Sequence, residues 1–266
     1  MAGRLEGKVA IVTGASRGLG QYCAVAFALE GAKVAAVGRS QRETNLHLPG
    51  NVNLTAGMVE DYGGEAVPLI CDVSDQEAVE SMVSIVLERF GRIDVLMNNA
   101  AVGWDDPIVT VPPRLFEQEL RTNVLGAFFC MRAVLPSMQL QGAGNIINVT
   151  AGSAEDHTHY GASKRALEVL TLGLADEVRG NGIAVNCLRP VGWVDTPGSL
   201  VRDLRPSDRA PPQSYLEAAI LLAIQTSNSC TGSVKTDAEV VRDLGDLKLL
   251  NRFIALNPPY WGESLR

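Results

Sequence analysis

The order of apolar segments constrains the fold of this chain most strongly. Short runs rich in β-branched residues alternate with longer stretches of helical periodicity. Strands and helices in this order favour an α/β fold with right-handed crossovers, a doubly wound parallel sheet with helices on both faces. The predicted strands cover residues 8–13, 33–37, 66–71, 95–97, 145–150 and 184–188. The predicted helices cover residues 18–30, 54–62, 75–90, 114–136, 160–179 and 213–226.

A glycine-rich turn, Thr-Gly-Ala-Ser-Arg-Gly-Leu-Gly at 13–20, follows the first predicted strand. Glycine permits positive φ and close approach of the backbone to a ligand, and we assign these roles to Gly14 and Gly18. Backbone N–H groups around residues 16–19 and the N-terminus of the next helix can face a pyrophosphate. Ligands of doubly wound sheets bind at the carboxyl ends of the strands. The turn therefore predicts a dinucleotide site in a single-domain, Rossmann-like fold.

A second motif, Tyr160-x-x-x-Lys164, lies in the helix predicted over residues 160–179. Residues four apart lie on one face of a helix, so the lysine ammonium can sit near the tyrosine ring. A nearby cation favours phenolate and lowers the pKa of a tyrosine from its usual value of about 10. Such a group can give or take a carbonyl proton near neutral pH. Each motif alone is weak, but the two in this order indicate a cofactor-dependent enzyme.

With these motifs the chain resembles the short-chain dehydrogenase/reductase family from about residue 5 to 196, and more loosely to about 236. The resemblance implies hydride transfer between a nicotinamide and a carbonyl or alcohol substrate. It implies one domain over 1–266: a core at 5–196, a substrate loop with the last helix and strand at 197–236, and a C-terminal extension at 237–266. The further matching positions are Asp72, Asn98, Asn99, Ala100, Asn123 and Pro190 to Thr196.

The resemblance also implies which residues bind the cofactor. Asp72 would face the adenine, although it could instead only cap the turn after the third strand. Asn99 and Ala100 would line the adenosine ribose, and residues 190–196 would pass the nicotinamide. The chain departs from the family at Ala101, where glycine is usual. The expected cofactor-binding residues are Gly14, Ser16, Arg17, Gly18, Leu19, Gly20, Arg39, Asp72, Val73, Asn99, Ala100, Tyr160, Lys164, Pro190, Val194 and Thr196.

The end of the second predicted strand favours NADP(H) over NAD(H). An acidic residue there would bind the ribose hydroxyls and repel a 2′-phosphate. The sequence at this point is Val-Gly-Arg-Ser over 37–40, without a carboxylate. Arg39 can pair with a phosphate, and Arg17 of the glycine turn can join it. The alternative is that Arg39 is a solvated surface residue.

The family uses four catalytic residues, and three of them are present. Tyr160 would exchange the proton with the substrate oxygen, and Lys164 would assist it and hold the nicotinamide ribose. Asn123 would anchor a water that links Lys164 to solvent, although an asparagine inside a helix can also simply bond nearby backbone. The segment preceding Tyr160 contains His157 and His159. We favour exposed loop histidines over a metal site or a substrate-binding histidine, and predict no metal.

The fourth catalytic residue, a serine donor to the substrate oxygen, is replaced by Ala151. We name Ser153 as its substitute, because alternation along the strand turns Thr150 to the other face. Losing one oxyanion donor costs about 3 kcal/mol, roughly 10²–10³ in rate. The alternatives to an NADP(H)-dependent oxidoreductase are therefore a catalytically weakened nucleotide sensor or scaffold, and a non-redox reaction at the same site.

Composition limits the partners of the chain. A net charge of −7 argues against a nucleic-acid surface. The five cysteines lack metal or redox spacing, which indicates reduced thiols. The apolar run at 9–12 is too short for export or for a membrane span, so we expect no membrane partner and a cytoplasmic location. The family resemblance implies a homotetramer or homodimer built on the helices predicted over 114–136 and 160–179.

Overall fold

The computed structural model describes residues 3–39, 50–104, 106–151, 158–196 and 206–245. The strands in this part of the chain are β1 Val9–Thr13, β2 Lys33–Gly38, β3 Ala66–Ile70, β4 Val95–Asn98, β5 Gly144–Val149, β6 Ile183–Arg189, β7 Trp193–Val194, β8 Arg209–Ala210 and β9 Ser233–Thr236. The α-helices are α1 Gly18–Leu29, α2 Val52–Asp61, α3 Gln76–Phe90, α4 Pro113–Glu119, α5 Ala127–Gln141, α6 Thr158–Glu177, α7 Gln213–Ala223 and α8 Asp237–Leu244. A π-helix, Leu120–Gly126, joins α4 to α5, and the 3-10 turns are Arg179–Asn181 and Pro206–Asp208.

Seven strands form one parallel sheet in the order β3-β2-β1-β4-β5-β6-β9, which confirms the predicted doubly wound α/β fold. β1 pairs with β2 on one side and with β4 on the other, so the strand order reverses between β1 and β4. Ligands of such sheets bind beyond the carboxyl ends of the strands at this reversal. β7 and β8 form a separate two-stranded pair that follows β6.

Helices cover both faces of the sheet, and β1 shows how its side chains are shared between them. All five of its residues are buried. Ala10 and Val12 join the core beneath α1, α2 and α7, whereas Val9 and Ile11 join the core beneath α3, α5 and α6. This alternation follows from the two-residue period of a strand. A continuous apolar run therefore marks a parallel strand that is buried on both faces.

The long helix before β5 extends beyond its predicted end at Pro136. Helical structure runs through α4, the π-helix and α5 to Gln141, with Pro136 inside α5. The helix ends at Gly142, whose φ of 65° gives the left-handed cap that glycine favours. Proline removes one backbone donor without stopping a helix that is packed against its neighbours, so the prediction of an end there was wrong.

Other helix boundaries shift by one to three residues for local reasons. α2 begins at Val52, before its predicted start at residue 54, because the Asn51 side chain accepts a hydrogen bond from Leu54 N. Residues 40–49 lie outside the described part. Gly31 and Gly63 follow the ends of α1 and α2 with φ of 91° and 77°. Beyond α6, Gly180 lies within a 3-10 turn, and Gly182 carries the positive φ.

The C-terminal extension predicted from residue 237 begins with a helix that the prediction missed. Thr236 accepts a hydrogen bond from Glu239 N, and the Glu239 side chain accepts one from Thr236 N. This reciprocal capping box stabilises the first turn of α8, which packs on α7. Residues 246–266, which include the aromatic and proline-rich tail, lie outside the described part. No helix within the described ranges is long and apolar enough to cross a bilayer.

Candidate active site

A cavity of about 530 Å³ opens at the carboxyl ends of β1, β2, β3 and β4. This volume lies within the range of small-molecule and cofactor sites. The predicted cofactor-binding residues that line it are Gly14, Ser16, Arg17, Arg39, Asp72, Val73, Asn99 and Ala100. The lining residues that the prediction did not include are Gly38, Cys71, Ala101, Val102 and Thr122. Half of the predicted binding set is thus gathered around one cavity at the strand-order reversal.

The glycine turn is compact because two of its residues tolerate no side chain. A Cβ on Gly14 would lie 2.8 Å from Ala100 Cα, and a Cβ on Gly20 would lie 2.4 Å from Gly14 O. Gly14 and Gly18 have φ of 65° and 60°, which confirms the backbone conformation predicted for them. The turn therefore leaves an open cradle in front of the N-terminus of α1. Such a cradle fits a dinucleotide pyrophosphate.

Thr13 and Asn99 fasten the glycine turn to the end of β4. The Thr13 hydroxyl accepts hydrogen bonds from Asn99 N and Ala100 N, both at 3.1 Å. The Asn99 side-chain amide donates to Thr13 O at 3.0 Å and to Gly14 O at 3.3 Å. The Asn99 side chain thus holds the backbone of the glycine turn where it lines the cavity. The bracing role of Thr13 was not predicted, although the residue opens the motif.

The wall of the cavity at β2 and β3 carries two cations and one carboxylate. Arg39 is exposed at the end of β2, and Arg17 donates to Gly50 O at 3.4 Å. Asp72 accepts hydrogen bonds from Ser74 N at 3.0 Å and Ser74 Oγ at 2.8 Å. Asp72 therefore caps the turn after β3 and also lines the cavity, so its two predicted roles are compatible.

The segment after β6 approaches the glycine turn from the other side. Thr196 reaches Gly18, where an added Cβ would lie 3.9 Å from Thr196 Cβ. Val194 is buried in β7, and Pro190 directly follows β6. The buried Asp237 accepts a hydrogen bond from Val191 N at 2.7 Å and so anchors this segment to α8. The role of Asp237 was not predicted, because the last helix was itself missed.

Two further residues of the predicted set, Leu19 and Gly20, lie at the start of α1. Gly20 is buried, and Leu19 packs against the core on that face of the sheet. Neither residue is part of the cavity lining within the described part of the chain. Their predicted role in cofactor binding stays a prediction.

Tyr160 and Lys164 lie together on one face of α6, as their spacing predicts. Lys164 Nζ is 5.6 Å from the centroid of the Tyr160 ring. Lys164 is buried, and its ammonium donates to Val149 O, at the end of β5, at 3.0 Å. A cation at this distance from a phenol stabilises phenolate relative to the neutral ring. The pair can therefore exchange a proton at the Tyr160 hydroxyl.

Asn123 connects the loop after β4 to the helix that carries Tyr160. Its side chain accepts from Val102 N at 2.9 Å and donates to Val102 O at 2.8 Å and to Ser163 Oγ at 3.0 Å. Ser163 Oγ in turn donates to Tyr160 O at 2.8 Å. Asn123 therefore bonds distant backbone rather than its own helix. It lies in the π-helix, a feature frequently found at functional sites.

The position of the missing serine is apolar in the structure. Ala151 is buried directly after β5. Thr150 is also buried, and its Oγ1 has no hydrogen-bond partner among the described residues. Ser153, the predicted substitute donor, lies outside the described residues, as does His157.

All five cysteines are free, and burial raises the pKa of the Cys71 thiol at the cavity to about 11.

His159 is a buried residue, so the prediction of an exposed loop histidine is wrong for this position. Its Nδ1 lies 2.7 Å from Glu119 Oε2, and its Nε2 lies 2.9 Å from Asp106 O. The partner Glu119 is forty residues away in the sequence, so no local sequence pattern indicates the pair.

Within the described ranges no group of three His, Cys, Asp or Glu side chains could hold a metal ion.

Comparison with known proteins agrees with this architecture. The sequence profile of the family described as short chain dehydrogenase matches residues 8–203. The 3-oxoacyl-acyl-carrier-protein reductase of Thermotoga maritima is 31% identical over 245 residues, which cover 87% of this chain and 96% of that protein. D-threitol dehydrogenase of Mycolicibacterium smegmatis is 32% identical over 244 residues, which cover 86% and 91%.

Solved structures give the same result. A short chain dehydrogenase from Mycobacterium thermoresistibile superposes with a TM-score of 0.84 at 30% identity, covering 92% of this chain and 91% of that one. A hydroxysteroid dehydrogenase from Escherichia coli superposes with a TM-score of 0.75 at 27% identity, covering 88% and 96%. With the matched sheet, glycine turn and Tyr-Lys helix, these likenesses establish that the chain belongs to the short-chain dehydrogenase/reductase family of oxidoreductases.

Proposed function

We propose that this protein is an NADP(H)-dependent oxidoreductase that transfers a hydride between the nicotinamide and the carbonyl or alcohol carbon of a small molecule. The observation that carries the proposal is the placing of Tyr160 and Lys164 on one helix face beside the end of β5. Around the strand-order reversal, the same edge of the sheet holds the glycine cradle with its two arginines. This shared edge supports the proposal, because a carbonyl reductase needs cofactor-binding and proton-transfer groups side by side.

In the proposed mechanism, bound NADP(H) supplies or accepts the hydride. Tyr160 donates its hydroxyl proton to the substrate oxygen during reduction, and its phenolate takes that proton back during oxidation. The Lys164 ammonium stabilises the phenolate and holds the nicotinamide ribose. Asn123 keeps the loop after β4 in place and anchors the water through which the proton returns from solvent. Ser153 would supply the donor that Ala151 lacks.

The preference for NADP(H) is supported by the charge at the end of β2. Arg17 and Arg39 line the cavity, and no carboxylate follows β2 at residues 37–40. A guanidinium can bind a 2′-phosphate through two parallel charge-assisted hydrogen bonds. For Arg39→Asp we expect NADPH affinity to fall roughly 10–100-fold, since a hydrogen bond to a charged group is worth about 1.5–3 kcal/mol. NADH affinity should not fall.

This test is a titration of NADPH and NADH fluorescence on the wild type and two variants. Arg114→Asp makes the same change of charge on the exposed side of α4 and serves as the control. If Arg39→Asp and Arg114→Asp weaken NADPH binding equally, the effect is one of net charge. Unchanged NADPH affinity in Arg39→Asp would contradict the cofactor assignment.

The proton-transfer role is tested with Tyr160→Phe over a panel of aliphatic, aromatic and steroidal carbonyl compounds. We expect kcat to fall by roughly 10²–10⁴, the usual contribution of general acid–base catalysis, while NADPH still binds. Tyr62→Phe, at the end of α2, removes a hydroxyl remote from this site and should keep full turnover. Full turnover in Tyr160→Phe would rule out this mechanism.

A second candidate function, a nucleotide-binding sensor or scaffold, is favoured by one observation. Ala151 puts a buried methyl group where the family has its serine donor. A sensor would bind NADPH with the same residues and turn over none of the panel. The same two experiments therefore separate the candidates, because only an enzyme loses activity with Tyr160→Phe.

We further propose a cytoplasmic homodimer or homotetramer built on α5 and α6. Apolar side chains are exposed there, among them Phe128 on α5 and Val169 on α6, at 40% and 71%. They flank a second cavity of about 520 Å³ between the two helices. A helical face of this kind is typical of a subunit interface. Val169→Glu should lower the molar mass measured by light scattering if this face joins two copies.

A further inference from the structure

The loop that follows β4, residues 102–104 with residue 106, is held against the helix of Tyr160 by more than Asn123. Trp104 N donates to Glu119 Oε1 at 3.1 Å, and Asp106 O lies 2.9 Å from His159 Nε2. Directly before these points Gly103 faces the Tyr160 ring, since a Cβ on Gly103 would lie 2.7 Å from Tyr160 Cδ2. Glu119 and His159 thus fasten the loop segment that contacts Tyr160.

The hydrogen bonds determine how many protons this pair holds. A peptide carbonyl can only accept, so His159 Nε2 must donate to Asp106 O. A second proton must lie between Nδ1 and Glu119 Oε2, because two lone pairs would otherwise meet at 2.7 Å. Glu119 Oε1 is occupied as the acceptor of Trp104 N. The arrangement therefore requires one shared proton beyond that of the neutral ring.

The surroundings assign that proton to the imidazole. Burial alone would lower the pKa of His159, but hydrogen bonds to Glu119 and Asp106 and the charges of both carboxylates raise it above its ordinary value. Glu119 faces the ring from α4 and Asp106 faces it from the loop, while Phe116 of α4 packs edge-on. These neighbours favour the protonated imidazole ring.

We infer that Glu119 and His159 are positioning residues, a pair sharing one proton that holds the loop after β4 and Tyr160 in their working arrangement. This inference rests on the proposed function, because it assigns the pair to the same proton transfer. Neither side chain reaches the reacting atoms: His159 precedes Tyr160 on α6, and Glu119 acts through the backbone of Trp104. The pair acts by orienting the ring through the loop at Gly103.

The pair makes the arrangement sensitive to rising pH. Because the pKa of His159 is raised, the doubly bonded imidazolium is intact below the ordinary histidine pKa and is lost as pH rises through the raised value. The neutral ring keeps one proton, so either Glu119 Oε2 or Asp106 O is then left facing an imidazole lone pair. The loop after β4 is held by one hydrogen bond fewer.

Glu119→Gln removes the shared proton and keeps the hydrogen bonds. In this variant the side-chain carbonyl at position 119 would accept from Trp104 N, and the side-chain amide would donate to the neutral Nδ1 of His159. Every bond survives, but nothing titrates between them. Glu119→Ala removes both bonds and leaves His159 without this partner. Glu119→Gln therefore keeps the hydrogen-bonded position of the loop without its dependence on pH. Glu119→Ala loses that position.

Turnover is measured as alcohol oxidation against pH, because Tyr160 acting as a base gains activity as pH rises. We expect wild-type kcat to rise, level off and then fall at alkaline pH. Glu119→Gln should keep its plateau and lose the fall. Glu119→Ala should lower kcat roughly 10²-fold at every pH, the scale of a 1 Å misplacement. An identical alkaline fall in the wild type and Glu119→Gln would overturn the inference.

A readout without turnover separates this inference from the proposed function. In protein labelled with ¹⁵N-histidine, both His159 ring nitrogens should be protonated at pH 7 in the wild type and only Nε2 in Glu119→Gln. Ring resonances of Tyr160, assigned with Tyr160→Phe, should follow the His159 titration in the wild type alone. If no variant turns over but this coupling is present, the proposed function fails and the positioning pair stands. A neutral His159 at pH 7, or no coupling, overturns the pair.

Discussion

The proposed cofactor end of the site, around the glycine turn, and its proposed catalytic end, around Tyr160, are held together in different ways. At the cofactor end, the glycine turn takes its shape from its own glycines and is fastened to the end of β4 by hydrogen bonds between Thr13 and Asn99. At the catalytic end, side chains from separate elements meet around Tyr160: Asn123 holds Val102, and Glu119 meets His159. The first end depends on the shape of a short segment. The second depends on the mutual position of α4, α6 and the loop after β4.

This difference predicts which measured property a substitution at each end should change. A turn built from glycines fails when a side chain occupies its cradle, and the loss should be one of cofactor affinity. A cluster of side chains fails when one partner is removed, and the loss should be one of rate. Substitutions at the cofactor end should therefore change the Kd of the cofactor, and substitutions at the catalytic end should change kcat.

The largest effect is expected at the catalytic end, from Lys164→Met. Methionine keeps the length of the side chain and removes the ammonium 5.6 Å from the Tyr160 ring centroid. Without that charge, phenolate is no longer favoured, and we expect kcat to fall by roughly 10²–10⁴. Arg165→Met changes the neighbouring cation, which pairs with Glu168, and should leave kcat unchanged. Steady-state kinetics measures kcat of both variants. An equal loss of kcat in the two would contradict this role of Lys164.

The cofactor end could be predicted from the sequence because its determinants are contiguous. The turn at 13–20 shows its glycines, and the positive φ of Gly14 and Gly18 follows from them. β1, β2, β4, β5 and β6 are visible because each is a mostly buried run, whereas β7, β8 and β9 are short or half-exposed and were not among the predicted strands. α8 was also within reach of sequence analysis, since Thr236 and Glu239 form the spacing of a capping box. It was missed because the apolar periodicity that follows is short.

The catalytic end could be predicted only in part. The spacing of Tyr160 and Lys164 is local to one helix, so their shared face follows from helical geometry. The burial of His159 does not, because it depends on Glu119, which another helix brings beside it. A histidine next to a loop looks exposed unless its three-dimensional partner is known. The same reason hides Asp237, whose role depends on the position of α8 beside the segment after β6.

The next effect concerns the donor missing at the catalytic end. Because Ser153 is proposed to supply this donor, Ser153→Ala should lower kcat by roughly 10²-fold, and adding Ala151→Ser to that variant should restore it, since one oxyanion-type donor is worth about that much. Thr150→Val is the control, because it removes a buried hydroxyl that has no partner among the described residues, and kcat should not change. Single-turnover reduction of a carbonyl substrate gives both rates. Full kcat in Ser153→Ala would contradict the assignment of the donor to Ser153.

A smaller effect is expected at the cofactor end, from Gly20→Ala. The new Cβ would meet Gly14 O and Asn99 Nδ2 at 2.4 Å, so the turn must shift. Overpacking of this kind costs about 2 kcal/mol, which corresponds to a roughly thirtyfold rise in the Kd of NADPH. Gly57→Ala, a matched change in α2 with open space around its Cβ, should keep the Kd and stabilise the helix. Equal affinities in the two variants would contradict the role of the cradle.

The smallest effect on function is expected at the opposite edge of the sheet, where Asp94 precedes β4. Asp94 accepts hydrogen bonds from Val9 N at 2.9 Å, from Arg92 Nη2 at 2.6 Å and from Lys8 Nζ at 3.3 Å. Burial alone would raise the pKa of Asp94, but these bonds and charges lower it below its usual value. The amino ends of the strands take no part in the proposed chemistry, so Asp94→Asn should leave kcat and Kd unchanged.

Stability is where Asp94→Asn should differ from the wild type. A carboxylate with a lowered pKa stabilises the fold at pH values above its unfolded pKa, and this contribution is lost as pH falls through the folded pKa. Arg92 and Lys8 are about half exposed, so their charges are screened, and we expect a loss of about 1–2 kcal/mol at pH 7. Urea unfolding of both proteins should show this difference at pH 7 and a smaller one below pH ~4. A difference that grew on acidification would contradict the assignment, and a fall in kcat would show that the two edges of the sheet are coupled.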